Sequence, residues 1–258
     1  MMPVLLGSML AAACSPSKPK DASKQSQAEH DLGVDMLSKG SFRSALTHAK
    51  KAVDLDPDNA DAQLLAATVY VAFCAYSPDE CHLAEAERHA RVALKTKPDF
   101  REARNTLGSI LVNERKYDEA IATLRPLTED ILYATPEIAW GNLGWAHLEK
   151  GDLDAGINAL KRGLALQPAF CWGANKLGLA YERKGDLSAA EAAFNQAIET
   201  DRPQCKQFAE PYEGRARVRE RLGDKPGAKA DLEKCKALGE GSVVAKRCGA
   251  TLTTMGAN

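Results

Sequence analysis

Along most of this chain apolar and small residues return at three- and four-residue spacing, the signature of one face of a helix. Strict alternation of apolar and polar positions, which strands require, is absent from the sequence. The stripes come in pairs, and the pairs repeat. The first unit carries Leu32-Gly33, Met36, Gly40, Phe42, Ala45, Ala49, Ala52 and Pro57, and the second carries Ala66-Ala67, Tyr70, Ala86, Ala90, Ala93 and Pro98. The third has Leu107-Gly108, Leu111, Tyr117, Ala120, Leu124 and Leu127, and the fourth has Trp140, Leu143-Gly144, Gly151, Leu153, Gly156, Leu160, Gly163 and Pro168. A fifth has Leu177-Gly178, Tyr181, Gly185, Leu187, Ala190, Phe194 and Ala197, and a degenerate sixth has Tyr212, Ala216, Gly223, Ala228, Leu232 and Cys235.

Each recurring position has a mechanical reason. The Leu-Gly pair, with a large apolar residue three further on, marks a first helix whose Gly lets a second helix come close. Gly40, Gly151, Gly185 and Gly223 are placed where the backbone must reverse with positive φ. Ala45, Ala49 and Ala52 form the second stripe, and proline ends the second helix in several units. The spacing resembles the tetratricopeptide repeat, a helix-turn-helix unit of roughly 34 residues. The resemblance implies an all-α superhelix of about six units over residues 28–240, with a capping helix and tail over 241–258. Two departures interrupt the period: extra residues around Phe73 to Leu83 in the second unit, and a pair before the fourth.

Residues 1–27 break the pattern. Val4 to Ala13 is an apolar run too short to span a bilayer but the right size for the core of a secretory signal. It runs into Cys14, and Leu10-Ala11-Ala12-Ala13-Cys14 resembles a bacterial lipobox, so residues 1–13 are expected to be a signal peptide and Cys14 the lipidated residue. Ser15, rather than Asp, after the cysteine implies sorting to the outer membrane. The remainder of residues 14–27 is polar, with two prolines, and is expected to be a flexible tether.

Charge changes the picture mainly by exclusion. Lys and Arg total 34 against 35 Asp and Glu, a balance with no electrostatic footprint for nucleic acid. Neither a phosphate-cradling Gly loop nor a Gly-x-Ser-x-Gly elbow occurs, so no enzymatic site, cofactor or small-molecule substrate is expected. Cys74, Cys81, His82 and His89 are too widely spaced for a zinc site. An even number of cysteines after Cys14 in an exported chain points to disulfides, and the repeat register pairs Cys74 with Cys81, Cys171 with Cys205, and Cys235 with Cys248. Buried free thiols, or a thiol enzyme using one of them, remain the alternatives.

The function expected is protein binding on the inner wall, which the first helix of each unit lines. Register assigns to that wall Val34 and Leu37, then Leu64, Thr68 and Val71, then Asn105, Ser109, Val112 and Asn113. Trp145 and Leu148 follow, then Asn175, Leu179 and Glu182, and finally Glu213, Arg217 and Glu220. The amino-terminal half is thus apolar, suited to a peptide, and the far end is charged. A lipobox-like start followed by six such units resembles the pilotins of type IV pilus systems, the PilF/PilW group. That resemblance implies an outer-membrane lipoprotein on the periplasmic face that binds secretin subunits and promotes their multimerisation. A lipoprotein scaffold for cell-wall or other envelope complexes is the alternative.

Overall fold

The computed structural model describes residues 20–76, 80–239 and 241–256, and among them there are helices and no strand. Six antiparallel pairs follow one another: α1 (Lys20–Ser38) with α2 (Phe42–Leu55), α3 (Ala60–Tyr76) with α4 (Leu83–Thr96), α5 (Arg101–Asn113) with α6 (Tyr117–Glu129), α7 (Pro136–Lys150) with α8 (Leu153–Leu166), α9 (Cys171–Lys184) with α10 (Leu187–Glu199), and α12 (Glu210–Leu222) with α13 (Lys225–Leu238). A single turn, α11 (Pro203–Lys206), interrupts the series before α12, and α14 (Val243–Gly256) follows α13. The fold is a tetratricopeptide-repeat superhelix. Each pair packs against the next, and successive first helices also touch, α3 with α5, α5 with α7 and α7 with α9, which makes them one continuous wall.

The Leu-Gly pairs explain the pairing. A Cβ on Gly108 would stand 2.4 Å from Leu124 Cδ2, so the second helix of that unit reaches its first only because position 108 has no side chain. Leu107, Leu111, Leu124 and Ala120 pack into one buried cluster across the pair. Burying each leucine stabilises by about 1.5–3 kcal/mol. The turn glycines behave as their placement predicts, with φ of +71° at Gly40, +97° at Gly151, +87° at Gly185 and +89° at Gly223. In the third unit the same reversal is made by Arg115, φ 62°. There Lys116 N–H donates to Leu111 O at 2.8 Å, as Asp152 N–H donates to His147 O at 2.9 Å after Gly151. The left-handed backbone costs a non-glycine residue roughly 1 kcal/mol, which the surrounding helices impose.

Several expectations are corrected. The tether does not extend to Gln27, because α1 begins at Lys20. Its polar residues are recruited into packing: Ser26 is fully buried, donates its hydroxyl to Ala52 O at 2.8 Å and accepts from Asn59 Nδ2 at 2.8 Å. The extra residues of the second unit partly lengthen α3 to 17 residues. Before the sixth unit the one-turn α11, opened by Pro203, departs from the helix-pair pattern of the repeat. The capping helix falls where expected, at Val243–Gly256, while the signal peptide and Cys14 lie outside the described residues.

Candidate functional site: the inner wall of first helices

Most of the apolar residues assigned to the amino-terminal end of the wall are drawn into packing, and Val34 is the exception. Val34 is open to solvent, 44% exposed, and Leu32, two residues earlier and so on a different side of α1, is 47% exposed because no earlier repeat covers α1 among the described residues. Leu37 is half-buried against the cluster of Leu65, Val69 and Phe73. Leu64 packs on Ala60, Ala93 and Phe100, and Val71 on the central core. The Thr68 hydroxyl is turned into its own helix, donating to Leu64 O at 2.9 Å.

Val112 is not a wall residue. It is 2% exposed and joins Tyr70 and Leu143 in the core, because α3 and α7 close over α5 from both sides. Leu148 and Asn175 are likewise buried rather than open. Asn105 Oδ1 accepts from Asn142 Nδ2 at 3.0 Å, so one amide steadies another across two units. Asn113 is exposed, its Nδ2 donating to Ser109 O.

The middle of the wall holds a cluster that register alone did not assemble. Trp145 meets Trp172 edge-on, with ring centroids 5.8 Å apart and planes at 84°. Phe170 leans on Trp172 at 5.8 Å. Two glycines make room: a Cβ on Gly141 would lie 2.6 Å from Phe170 Cε1, and one on Gly173 would lie 2.4 Å from Phe170 Cδ1. Lys176 projects over both indoles, its Nζ 4.5 Å from the Trp145 centroid and 5.2 Å from that of Trp172. Beside it Asn175 Oδ1 is buried with no hydrogen-bond partner among the described residues. Trp172 directly follows Cys171, and the sequence offered it no repeat-register role.

Burial lowers the Lys176 pKa to about 8, an effect that the Glu149 charge opposes and Arg183 reinforces. The cluster therefore carries an ammonium that is poorly solvated and has no carboxylate bonded to it among the described residues. Two indoles hold it instead, and this arrangement receives an anionic or hydrogen-bond-accepting group of a partner at low cost. Below the folded-state pKa both folded and unfolded chains carry the charge, and folding bears its full desolvation cost. Between about pH 8 and the unfolded value of 10.5 the folded chain loses its proton first, so stability rises with pH across that window. Lys176→Met is expected to stabilise the chain at pH 7 by about 1–2 kcal/mol, less than the shift alone gives because the indoles offset part of the cost. In urea unfolding that gain should shrink as pH rises from about 8 to 10.5; an unchanged or lowered midpoint at pH 7 would contradict the assignment.

At the carboxy-terminal end the charges are spent internally. Arg217 donates to both oxygens of Glu182 at 3.0 and 2.8 Å, Arg247 does so to Glu213 at 2.8 and 2.7 Å, and Arg183 reaches Glu149 at 2.9 Å and Leu148 O at 3.1 Å. The charged end seen in the sequence is thus a set of bridges between neighbouring units.

Disulfides join Cys74–Cys81, Cys171–Cys205 and Cys235–Cys248, with Cα separations of 4.3, 6.0 and 6.2 Å. Cys171–Cys205 ties α9 to α11, and Cys235–Cys248 ties α13 to α14. His82 and His89 both pack on Tyr70. His89 Nδ1 lies 2.6 Å from Gln63 Oε1, and burial, with Arg88 alongside, lowers its pKa to about 4. No three His, Cys, Asp or Glu side chains gather as a cation site among the described residues, nor is any described helix long and apolar enough to cross a membrane.

Comparison with known proteins agrees with this architecture. The family description Tetratricopeptide repeat matches residues 142–204 and 175–234. The type IV pilus assembly protein PilF of Pseudomonas aeruginosa is 31% identical over 120 residues, 46% of this chain and 44% of that protein, so the match spans less than half of the relative's length. The crystal structure of PilW, described as a widely conserved type IV pilus biogenesis factor, superposes with a TM-score of 0.66 at 25% identity, covering 82% of this chain and 92% of that one. The structure of Pseudomonas aeruginosa PilF superposes at 0.62 with 21% identity over 90% of this chain and all of that one, a likeness of fold. Residues 142–234 of the chain thus carry tetratricopeptide repeats, and the chain is similar in sequence to PilF over the matched stretch and in structure to PilW.

Proposed function

We propose that this protein is an assembly factor of a type IV pilus machine. A lipid on Cys14 holds it at the periplasmic face of the outer membrane, and its inner wall binds subunits of the outer-membrane secretin and promotes their multimerisation. The observation that carries the reading is the likeness to PilW over nearly the whole of that chain, joined to the sequence match with PilF. The wall supplies the means. Val34 offers exposed apolar surface at one end, and the Trp145–Trp172–Lys176 cluster offers a mixed aromatic and cationic patch near the middle. A segment lying along the wall would bury apolar side chains at the first and meet the ammonium at the second. Such a holder keeps a subunit from wrong association until a ring closes.

The test is capture of purified secretin by the protein and by the Val34→Asp/Trp145→Ala variant, with helix content checked by circular dichroism. Capture should fall about tenfold or more, since an exposed apolar contact and an aromatic anchor are both lost. Cys14→Ala should move the protein from the membrane to the soluble fraction. Undiminished capture by a folded double variant would remove the inner wall from the mechanism.

A further inference from the structure

The last helix carries the register of a repeat's first helix, yet no second helix accompanies it among the described residues. In α14, Cys248-Gly249 and Leu252 stand as Leu107-Gly108 and Leu111 do in α5, and Leu177-Gly178 and Tyr181 in α9. In those complete units the glycine marks where the second helix presses in. A Cβ on Gly108 would lie 2.4 Å from Leu124, and one on Gly178 would lie 2.6 Å from Phe194. At Gly249 a Cβ would meet only the tail of Lys236, at 3.7 Å.

A cavity of about 1220 Å³ lies between α13 and α14. Its apolar lining includes Leu252, Met255, Pro226 and Ala245, of which Leu252 and Met255 are half-buried against the terminal core. Its rim is cationic: Lys225, Lys229, Lys236 and Lys246 line it against a single carboxylate, Glu233. None of these four lysines forms an ion pair among the described residues, whereas the arginines of the same end, Arg217 and Arg247, are bridged. Cys235–Cys248 holds the two walls together.

We infer that this cavity docks an amphipathic helix of a partner protein, apolar on one face and acidic on its flanks, seated where the second helix of a seventh repeat would lie. Three observations converge on that occupant. The register of α14 calls for a helix. The floor is apolar and shaped by a glycine. The rim has a charge excess that an acidic helix neutralises. A flat anionic membrane matches the charge of the rim but not the concavity of the site.

The experiment is fluorescence anisotropy with the disulfide-bonded protein and a labelled 14-residue peptide, the length of α8, with leucines on one face and glutamates elsewhere. The control has lysines in place of the glutamates. The acidic peptide should bind and the basic one should not. Gly249→Leu, which fills the slot, and Lys229→Glu/Lys236→Glu, which inverts the rim on exposed side chains, should each weaken binding about tenfold or more. Because the lysine variant alters only exposed side chains, it keeps the test valid if Gly249→Leu disturbs α14. Equal binding of both peptides, or binding unchanged in both variants, overturns the inference. So does a concentration-dependent dimer abolished by Gly249→Leu, which would make a second copy the occupant. Flotation with phosphatidylglycerol vesicles that Gly249→Leu leaves intact overturns it in favour of a lipid surface. None of these readouts involves secretin, so the outcome stands apart from the function proposed above.

Discussion

Phe194→Ala is expected to destabilise the protein by about 3–5 kcal/mol, the range for removing a large aromatic side chain from a core that cannot collapse. The ring is fully buried in α10 and sits between two glycines of different helices. A Cβ at Gly178 of α9 would be 2.6 Å from it, and one at Gly214 of α12 would be 2.4 Å from it. Phe194 is therefore the side chain on which the fifth and sixth units both close. Without it neither helix has a residue to move into the space, since the facing positions are glycine. Two cross-links bear on this end, Cys171–Cys205 and Cys235–Cys248, so relaxation is further limited. Urea unfolding of the oxidised protein measures the loss. Hydrogen exchange should show it concentrated in α9 to α13, as expected for an array in which each unit touches only its neighbours. A loss below about 1 kcal/mol would mean that the units do not share this ring.

Asp231→Asn is expected to cost about 3 kcal/mol, the lower part of the range for removing one partner from a buried charge network. Asp231 is 3% exposed in α13. It accepts from Arg215 Nε at 2.9 Å and Nη2 at 2.6 Å, and from Arg219 Nη1 at 3.0 Å. Arg215 also donates to Asn195 Oδ1 at 2.7 Å, and Arg219 Nε to Glu191 Oε1 at 2.8 Å, which links the sixth unit back to α10. Taking the charge from Asp231 leaves two guanidiniums facing each other in a half-buried site with one acceptor fewer. Arg215 occupies the position where earlier units have the leucine of the Leu-Gly pair, so the sixth unit has replaced an apolar contact by an ionic one. Arg215→Leu in the Asp231→Asn background should therefore recover part of the loss. Recovery absent in unfolding experiments would show that the network, and not the unpaired charge, sets the cost.

Both changes lie far along the chain from Val34, at the end where the charges bridge unit to unit. If the inner wall works as proposed, mild forms of these variants should weaken the carboxy-terminal units before they disturb capture at the amino-terminal end. The same quasi-linear organisation explains how the α13–α14 cavity could act separately from the wall.

Much of the architecture was legible because helical repeats write their packing into local sequence. Leu107-Gly108, Leu143-Gly144 and Leu177-Gly178 report a close approach between helices adjacent in the chain, and Gly151, Gly185 and Gly223 report a local reversal of the backbone. The cysteine pairs lie on neighbouring elements, so register placed them beside one another. These features depend on contacts between residues near in sequence, and a periodic pattern carries that information.

What only the tertiary structure decided depends on how units lean on one another. Val112 has the spacing of a wall residue, and the crossing of α3 and α7 over α5 buries it. Ser26 lies in a stretch as polar as any tether, but a carbonyl of α2 and the amide of Asn59 beyond its end give it two partners and draw it into α1. Trp145, Trp172 and Lys176 meet because α7 and α9 converge at Gly141 and Gly173, a convergence set by side-chain volumes on both helices. The period of the sequence specifies which face of each helix is apolar. The angle between successive pairs, which is the sum of many small contacts, specifies how much of that face remains open to a partner.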